Sequence, residues 1–113
     1  MDFWATWCTP CTYEIMKSKD LKKRFQGRDV IFLYISLDTN PNSWRNFLAK
    51  EQPAGIHLFA KNVYDSPVAQ LYGVRGLPSF FLIYKEGNLS RVPAKRSSEP
   101  GVYNEINEVL LAK

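Results

Sequence analysis

Two cysteines and one histidine are the only thiol and imidazole side chains in this chain of 113 residues. Two cysteines cannot form the disulfide framework of a small secreted domain, which takes at least four. One histidine leaves structural zinc short of donors, because such sites use four ligands, commonly two C-x-x-C units or one with paired histidines. A copper site would likewise want a third strong ligand. No apolar run approaches the roughly 20 residues that span a bilayer, so this segment is not expected to insert into a membrane. Acidic residues are the minority, 11 against 15 Lys and Arg, for a net charge of +4. Much of that excess lies in "KSKDLKKR" (17–24) and "AKR" (94–96), with no nucleic-acid-reading motif beside it. Both stretches read as solvated surface, and no nucleic-acid partner is expected. There is no internal repeat and no low-complexity segment.

With 45% hydrophobic residues, the chain can bury a core of its own, and residues 1–113 read as a single domain. It opens straight into "MDFW", with no leader-like segment in front. A strand that runs at once into a motif usually has several residues before it. Met1 is therefore expected to begin a piece of a longer chain, and this opening says little about compartment.

Residues 2–4 read as the end of a strand. Residues 9–26 read as a helix capped by Thr9, with Cys11, Ile15, Leu21 and Phe25 near one face and Gly27 ending it. "VIFLYISL" (30–37) is continuously apolar, the pattern of a strand buried on both sides. Asn40-Pro41 opens a helix over about 42–51 that gathers Trp44, Phe47 and Leu48. "IHLFA" (56–60) is a short extended segment. "DSP" (65–67) starts a helix with Val68, Leu71 and Tyr72 on one face, closed by Gly73. "GLPSFFLIYK" (76–85) is a second strong strand, "EGN" (86–88) a hairpin turn, and 89–92 the returning strand. "SSEPG" leads into a last helix that carries Val102, Ile106, Val109 and Leu110 at amphipathic spacing. The early half alternates strand and helix and the late half holds a hairpin, so the fold class is an α/β sandwich around a mixed sheet.

The chemistry concentrates in "FWATWCTPCTYE" (3–14). Three readings of Cys8 and Cys11 are open: a redox pair, half of a metal site, or two inert core residues. At a helix start, C-x-x-C spacing can bring the Cα atoms within the disulfide window of about 4.4–6.8 Å. Free N–H groups and the positive end of the helix dipole favour a thiolate at Cys8, and the thiolate is the attacking species. Cys11, one turn on and less exposed, would resolve a mixed disulfide made by Cys8. Pro10 suits the first turn, where its missing N–H would be unpaired anyway, and it removes a donor near the Cys8 sulfur. Thr9-Pro10 would thereby tune the potential. A peroxiredoxin-type peroxidase would want Pro seven and Thr or Ser three positions before the nucleophile, where this chain has Met1 and Ala5. His57 reads as a surface or partly buried histidine.

"DFWATWCTPC" together with "VRGLPSFFLI" resembles the active-site signature and the cis-proline loop of the thioredoxin superfamily. Three further features are similar to its TlpA/ResA branch of bacterial thiol-disulfide oxidoreductases: the acid in "CTPCTYE", the extra stretch between "YISLD" (34–38) and "GVRGLP" (73–78), and the ending "FLIYKEGN". The resemblance implies a thioredoxin-like three-layer sandwich, with the N-terminal strand or hairpin missing or truncated and a helical insertion at about 40–65. A shortened central strand would leave the piece weakly stable or paired through its edge. Relatives often carry Pro at the position of Met16, where it kinks the first helix; its absence puts that kink in doubt.

The resemblance also implies roles. Cys8 is the nucleophile and Cys11 the resolving thiol. Pro78 is the cis-proline against them, leaving the Leu77 backbone free to pair with an extended substrate. Trp7 flanks the site as a docking surface, with core packing as the plainer reading. Asp2 is the buried carboxylate that relays a proton to Cys11, and burial would raise its pKa. Glu14, one turn after Cys11, faces the sulfurs and tunes the pair, or is an exposed helix acid. The implied activity is disulfide exchange with protein substrates, acting as a reductant, with no cofactor beyond the cysteine pair. Electrons would come from a membrane thiol carrier, and the site of action would be extracytoplasmic. The alternative is a binding module on the same fold that holds a partner without turnover.

Overall fold

A computed structural model describes residues 1–90 and 94–112. In chain order they form β1 (Asp2–Trp4), α1 (Thr9–Lys17), α2 (Lys19–Arg24), β2 (Leu33–Ser36), α3 (Pro41–Glu51), β3 (Ile56–Phe59), a 3-10 turn (Val63–Asp65), α4 (Pro67–Leu71), β4 (Ser79–Phe80) and α5 (Val102–Leu111). The four strands make one mixed sheet in the order β3-β2-β1-β4. β1 runs parallel to β2 and antiparallel to β4, and β2 runs parallel to β3. β1 is thus central, and its C-terminal end delivers the C-x-x-C segment.

Successive strand residues point to opposite faces, and this divides the core. Phe3 faces a cluster with Ile35, Leu37, Ala69, Val74 and Phe81. Its neighbour Trp4 faces the other side, with Ala5, Cys8, Cys11, Ile15 and Tyr34, against which Trp44, Phe47 and Leu48 of α3 pack. A third cluster joins Leu21 and Phe25 to Val102 and Ile106 of α5. The sheet is therefore flanked by helices on both faces, the mixed α/β sandwich that the sequence implies.

Several boundaries differ from those read in the sequence. The helix expected over 9–26 is two helices, parted by a turn at Ser18, whose N–H bonds the Ile15 carbonyl three residues back at 3.2 Å. Buried Ser18 turns its hydroxyl back onto the Ile15 carbonyl at 2.6 Å, and such a bond competes with the backbone ladder. The first helix thus breaks without a proline. The strand expected at 30–37 is confined to Leu33–Ser36, because the first β1 residue, Asp2, is registered against Tyr34. Ile31 stands 72% exposed, so the run is not buried on both sides throughout. The strand expected at 76–85 keeps ladder pairing only at Ser79–Phe80, where β1 lies opposite, and continues as an irregular chain. The hairpin turn at 86–88 is present, closed by Tyr84 N–H to Asn88 C=O at 2.8 Å, with Ile83 bridging Leu89. The rest of its expected return strand, 91–92, lies outside the described residues. Leu71, placed on a core face, is exposed instead: α4 has five residues and buries Ala69.

Residues 40–65 hold α3, the edge strand β3 and the 3-10 turn. Asn40 caps α3 by accepting the Asn42 N–H, with Pro41 in the first turn. His57 on β3 stacks on Tyr34 at 4.9 Å and brings its Nε2 to 2.7 Å from the Pro53 carbonyl. Gly55, at φ +131°, opens β3 where a Cβ would lie 2.6 Å from the Phe32 carbonyl and 2.9 Å from the Tyr34 ring.

Candidate active site

The chain leaves β1 through a tight turn, Ala5 to Cys8, closed by Cys8 N–H to Ala5 C=O at 3.1 Å. The turn ends on Cys8, the N-cap of α1, and α1 begins Thr9-Pro10-Cys11. The Cα atoms of Cys8 and Cys11 are 5.2 Å apart and the two sulfurs are bonded. The Cys8 sulfur also accepts the Cys11 backbone N–H at 3.3 Å, one of the donors that a helix start leaves without an internal partner. Cys11 is fully buried and Cys8 retains 6% exposure. The sulfur that accepts the helix N–H is thus also the more accessible one.

Trp7, two residues into the turn, is 56% exposed and so does not serve the core. Pro10, on the first turn of α1, is exposed as well. From the other half of the chain, Leu77 packs against the Cys8–Cys11 cluster, and the Leu77–Pro78 peptide bond is cis. Trp7, Cys8, Cys11, Leu77 and Pro78 thus share one end of the sheet.

The two acids differ in setting. Asp2 is buried on β1, and its Oδ1 has no hydrogen-bond partner among the described residues. Burial drives its pKa well above the ordinary value; the Met1 ammonium opposes this, nearby Glu14 adds to it, and Lys22 opposes it more weakly. Glu14 is buried rather than an exposed helix acid. Its carboxylate accepts the Ser98 N–H at 3.0 Å and the Ser98 hydroxyl at 2.7 Å, which fastens the segment before α5 onto α1.

Sequence reasoning missed three participants. Lys22 of α2 lies 4.7 Å from the Tyr34 ring centre and donates to the Ala54 carbonyl at 2.7 Å. Partial burial lowers its pKa to about 8, against the pull of Asp2. Ser98 is 84 residues from Glu14, too far for any local pattern. Asp38, just past β2 and 1% exposed, holds the active-site turn through Thr6. An acid closing the apolar run "YISLD" was its one sequence signal. Among the described residues no cluster of His, Cys, Asp and Glu could hold a metal ion, and no helix is long and apolar enough to cross a membrane.

Comparison with known proteins agrees with this geometry. The model of a thioredoxin-like family matches residues 1–89. The thiol-disulfide oxidoreductase ResA of Bacillus subtilis is 26% identical over 107 residues, covering 95% of this chain and 58% of that protein. A thioredoxin from Mycobacterium bovis is 33% identical over 76 residues, covering 67% of this chain and 61% of that protein. Among solved structures, a chain from Bacteroides vulgatus assigned as a thiol-disulfide oxidoreductase superposes with a TM-score of 0.81 at 33% identity, covering 96% of this chain and 70% of that one. This chain spans little more than half the length of the ResA protein it matches.

Proposed function

The chain belongs to the thioredoxin-like family, and on that premise we propose that it is a thiol-disulfide oxidoreductase that reduces disulfides in protein substrates. One observation carries the reading: the more exposed sulfur, Cys8, caps α1 and accepts the Cys11 N–H, while Cys11 lies buried behind it within bonding distance. Once the pair is reduced, that N–H and the helix dipole stabilise a Cys8 thiolate.

The Cys8 thiolate attacks one sulfur of the substrate disulfide. A Cys8–substrate disulfide forms, and the other substrate sulfur leaves as a thiolate and takes up a proton. Cys11 then gives its proton to the Asp2 carboxylate and attacks the Cys8 sulfur. The Cys8–Cys11 disulfide forms, and the second substrate sulfur is expelled as a thiolate that takes up the proton Asp2 received. Two electrons pass to the substrate, and the cysteine pair carries them with no further cofactor. Burial makes Asp2 a stronger base than an exposed carboxylate, as this transfer requires. Exposed Trp7 and Pro10 form the docking surface, and the Leu77 backbone, held beside cis-Pro78, pairs with an extended substrate segment. Glu14, anchored by Ser98, tunes the pair from within α1.

The likeness to ResA supports a bacterial, extracytoplasmic setting in which a membrane thiol carrier returns electrons to the pair. Insulin reduction by dithiothreitol tests the activity. Wild type is expected to accelerate precipitation and Cys8→Ser to leave the uncatalysed rate. Equal rates for the two would leave a binding module as the surviving reading.

A further inference from the structure

Asp38 is a buried carboxylate that the disulfide chemistry does not use. Its Oδ1 accepts the Thr6 N–H at 2.9 Å and the Thr6 hydroxyl at 2.6 Å. Its Oδ2 accepts the Ser36 hydroxyl at 2.6 Å and shares the Thr6 N–H at 3.2 Å. The Ser36 hydroxyl oxygen in turn accepts the Asp38 N–H at 3.1 Å, fixing the carboxylate to the end of β2. Among the described residues no cation pairs with Asp38. Burying an ion costs several kcal/mol unless hydrogen bonds satisfy it, and here the donors belong chiefly to one residue of the active-site turn. That residue, Thr6, lies between the strand that ends at Trp4 and the exposed Trp7. With the Cys8-to-Ala5 bond closing the same turn, the Asp38 grip leaves little freedom in the direction Trp7 takes.

We propose that Asp38 is a positioning residue for protein substrates: by clamping Thr6 it fixes the turn that presents Trp7, and so sets the affinity for large substrates and not the reactivity of the sulfurs. The inference rests on the reading of the pair as a protein-disulfide reductase. Neutral Asn at this position keeps the size but has one acceptor oxygen, and its NH2 would face donors. Asp38→Asn is therefore expected to raise KM for insulin about tenfold with kcat kept within about twofold, the pattern of lost binding common to ground and transition state. The rate with a small aromatic disulfide should stay within about twofold, because it needs no docking turn.

A double-mutant cycle supplies the decisive comparison. If Asp38 acts through Trp7, adding Asp38→Asn to Trp7→Ala should change KM by less than about twofold, a strongly non-additive result. Equal losses in both backgrounds, or parallel losses on the large and small disulfides, would overturn the proposal and leave Asp38 a stabilising residue only. Should Asp38→Asn not fold, Thr6→Val removes the hydroxyl donor and keeps the N–H, and the same cycle with Trp7→Ala decides. Wild type run alongside separates this outcome from failure of the activity itself: an inactive wild type sinks the enzyme reading, and an active one with additive mutants sinks only the role of Asp38.

Discussion

The Glu14 carboxylate accepts both the N–H and the hydroxyl of Ser98, at 3.0 and 2.7 Å, joining α1 to a segment 84 residues away. Hydrogen bonds to a charged acceptor contribute about 1.5–3 kcal/mol, and a buried carboxylate left short of donors costs more than a neutral group would. Ser98→Ala should therefore lower stability by about 1–2 kcal/mol and raise amide exchange across residues 95–101. Unchanged exchange there would show that Glu14 does not anchor the segment.

Asp2 sets a pH dependence with a definite sign. Its folded pKa is raised above the ordinary 3.8, mainly by burial. Between that value and the higher folded one, the folded chain binds more protons than the unfolded chain. Stability contributed by Asp2 thus falls as pH rises through the window, and the cost is fully present above it. Asp2→Asn, neutral throughout, should flatten this slope and raise Tm at pH 7. Melting curves from pH 4 to 8 check it, and an unchanged slope would assign the dependence to other groups. On the proposed mechanism the same variant should also slow release of the mixed disulfide, since it removes the carboxylate assigned there to accept the Cys11 proton.

Gly55 faces the Phe32 carbonyl and the Tyr34 ring with no room for a methyl group, and its backbone lies where L-residues are strained. Gly55→Ala should cost about 1–3 kcal/mol, the range for such backbone strain, read as a shifted denaturant midpoint. A shift no larger than that of Gly87→Ala, where a Cβ meets open space at a similarly positive φ, would show that the crowding at β3 carries no weight.

In the reduced protein the two thiols should alkylate unequally. Cys8, at the N-cap and with residual exposure, should react first, with a pH midpoint below the roughly 8.5 of a free thiol. Cys11, fully buried, should react slowly at any pH below that value. Mass mapping of iodoacetamide-treated protein distinguishes them, and preferential labelling of Cys11 would reverse the assigned roles.

The parts of this molecule that were legible in the sequence are those written in contiguous residues. "CTPC" ahead of a helix places both sulfurs, although the cap is Cys8 and not the expected Thr9, which is the first helical residue; Asn40-Pro41 starts α3, and "EGN" makes its turn, because capping and turn chemistry act over a few residues. The strands are shorter than their apolar runs because ladder length depends on the partner. "VIFLYISL" is apolar throughout, yet only Leu33–Ser36 joins the ladder, where β1 offers three residues. The break at Ser18 is not legible because a hydroxyl turned back on Ile15 makes it where no proline stands. Asp38, apart from its place at the end of "YISLD", and Ser98 are not legible as site residues for a different reason. Each acts on the active-site segment across 32 and 84 residues respectively, and single-sequence periodicity carries no information at such range.

Cys11→Ser provides the most direct test of the central claim. Without its resolving thiol the protein should stop halfway, with Cys8 covalently joined to the substrate. Incubated with a disulfide-bonded protein and run without reductant, Cys11→Ser should give a mixed-disulfide adduct that collapses on adding dithiothreitol, and Cys8→Ser should give none. An adduct formed equally by both variants, or by neither, would contradict the account.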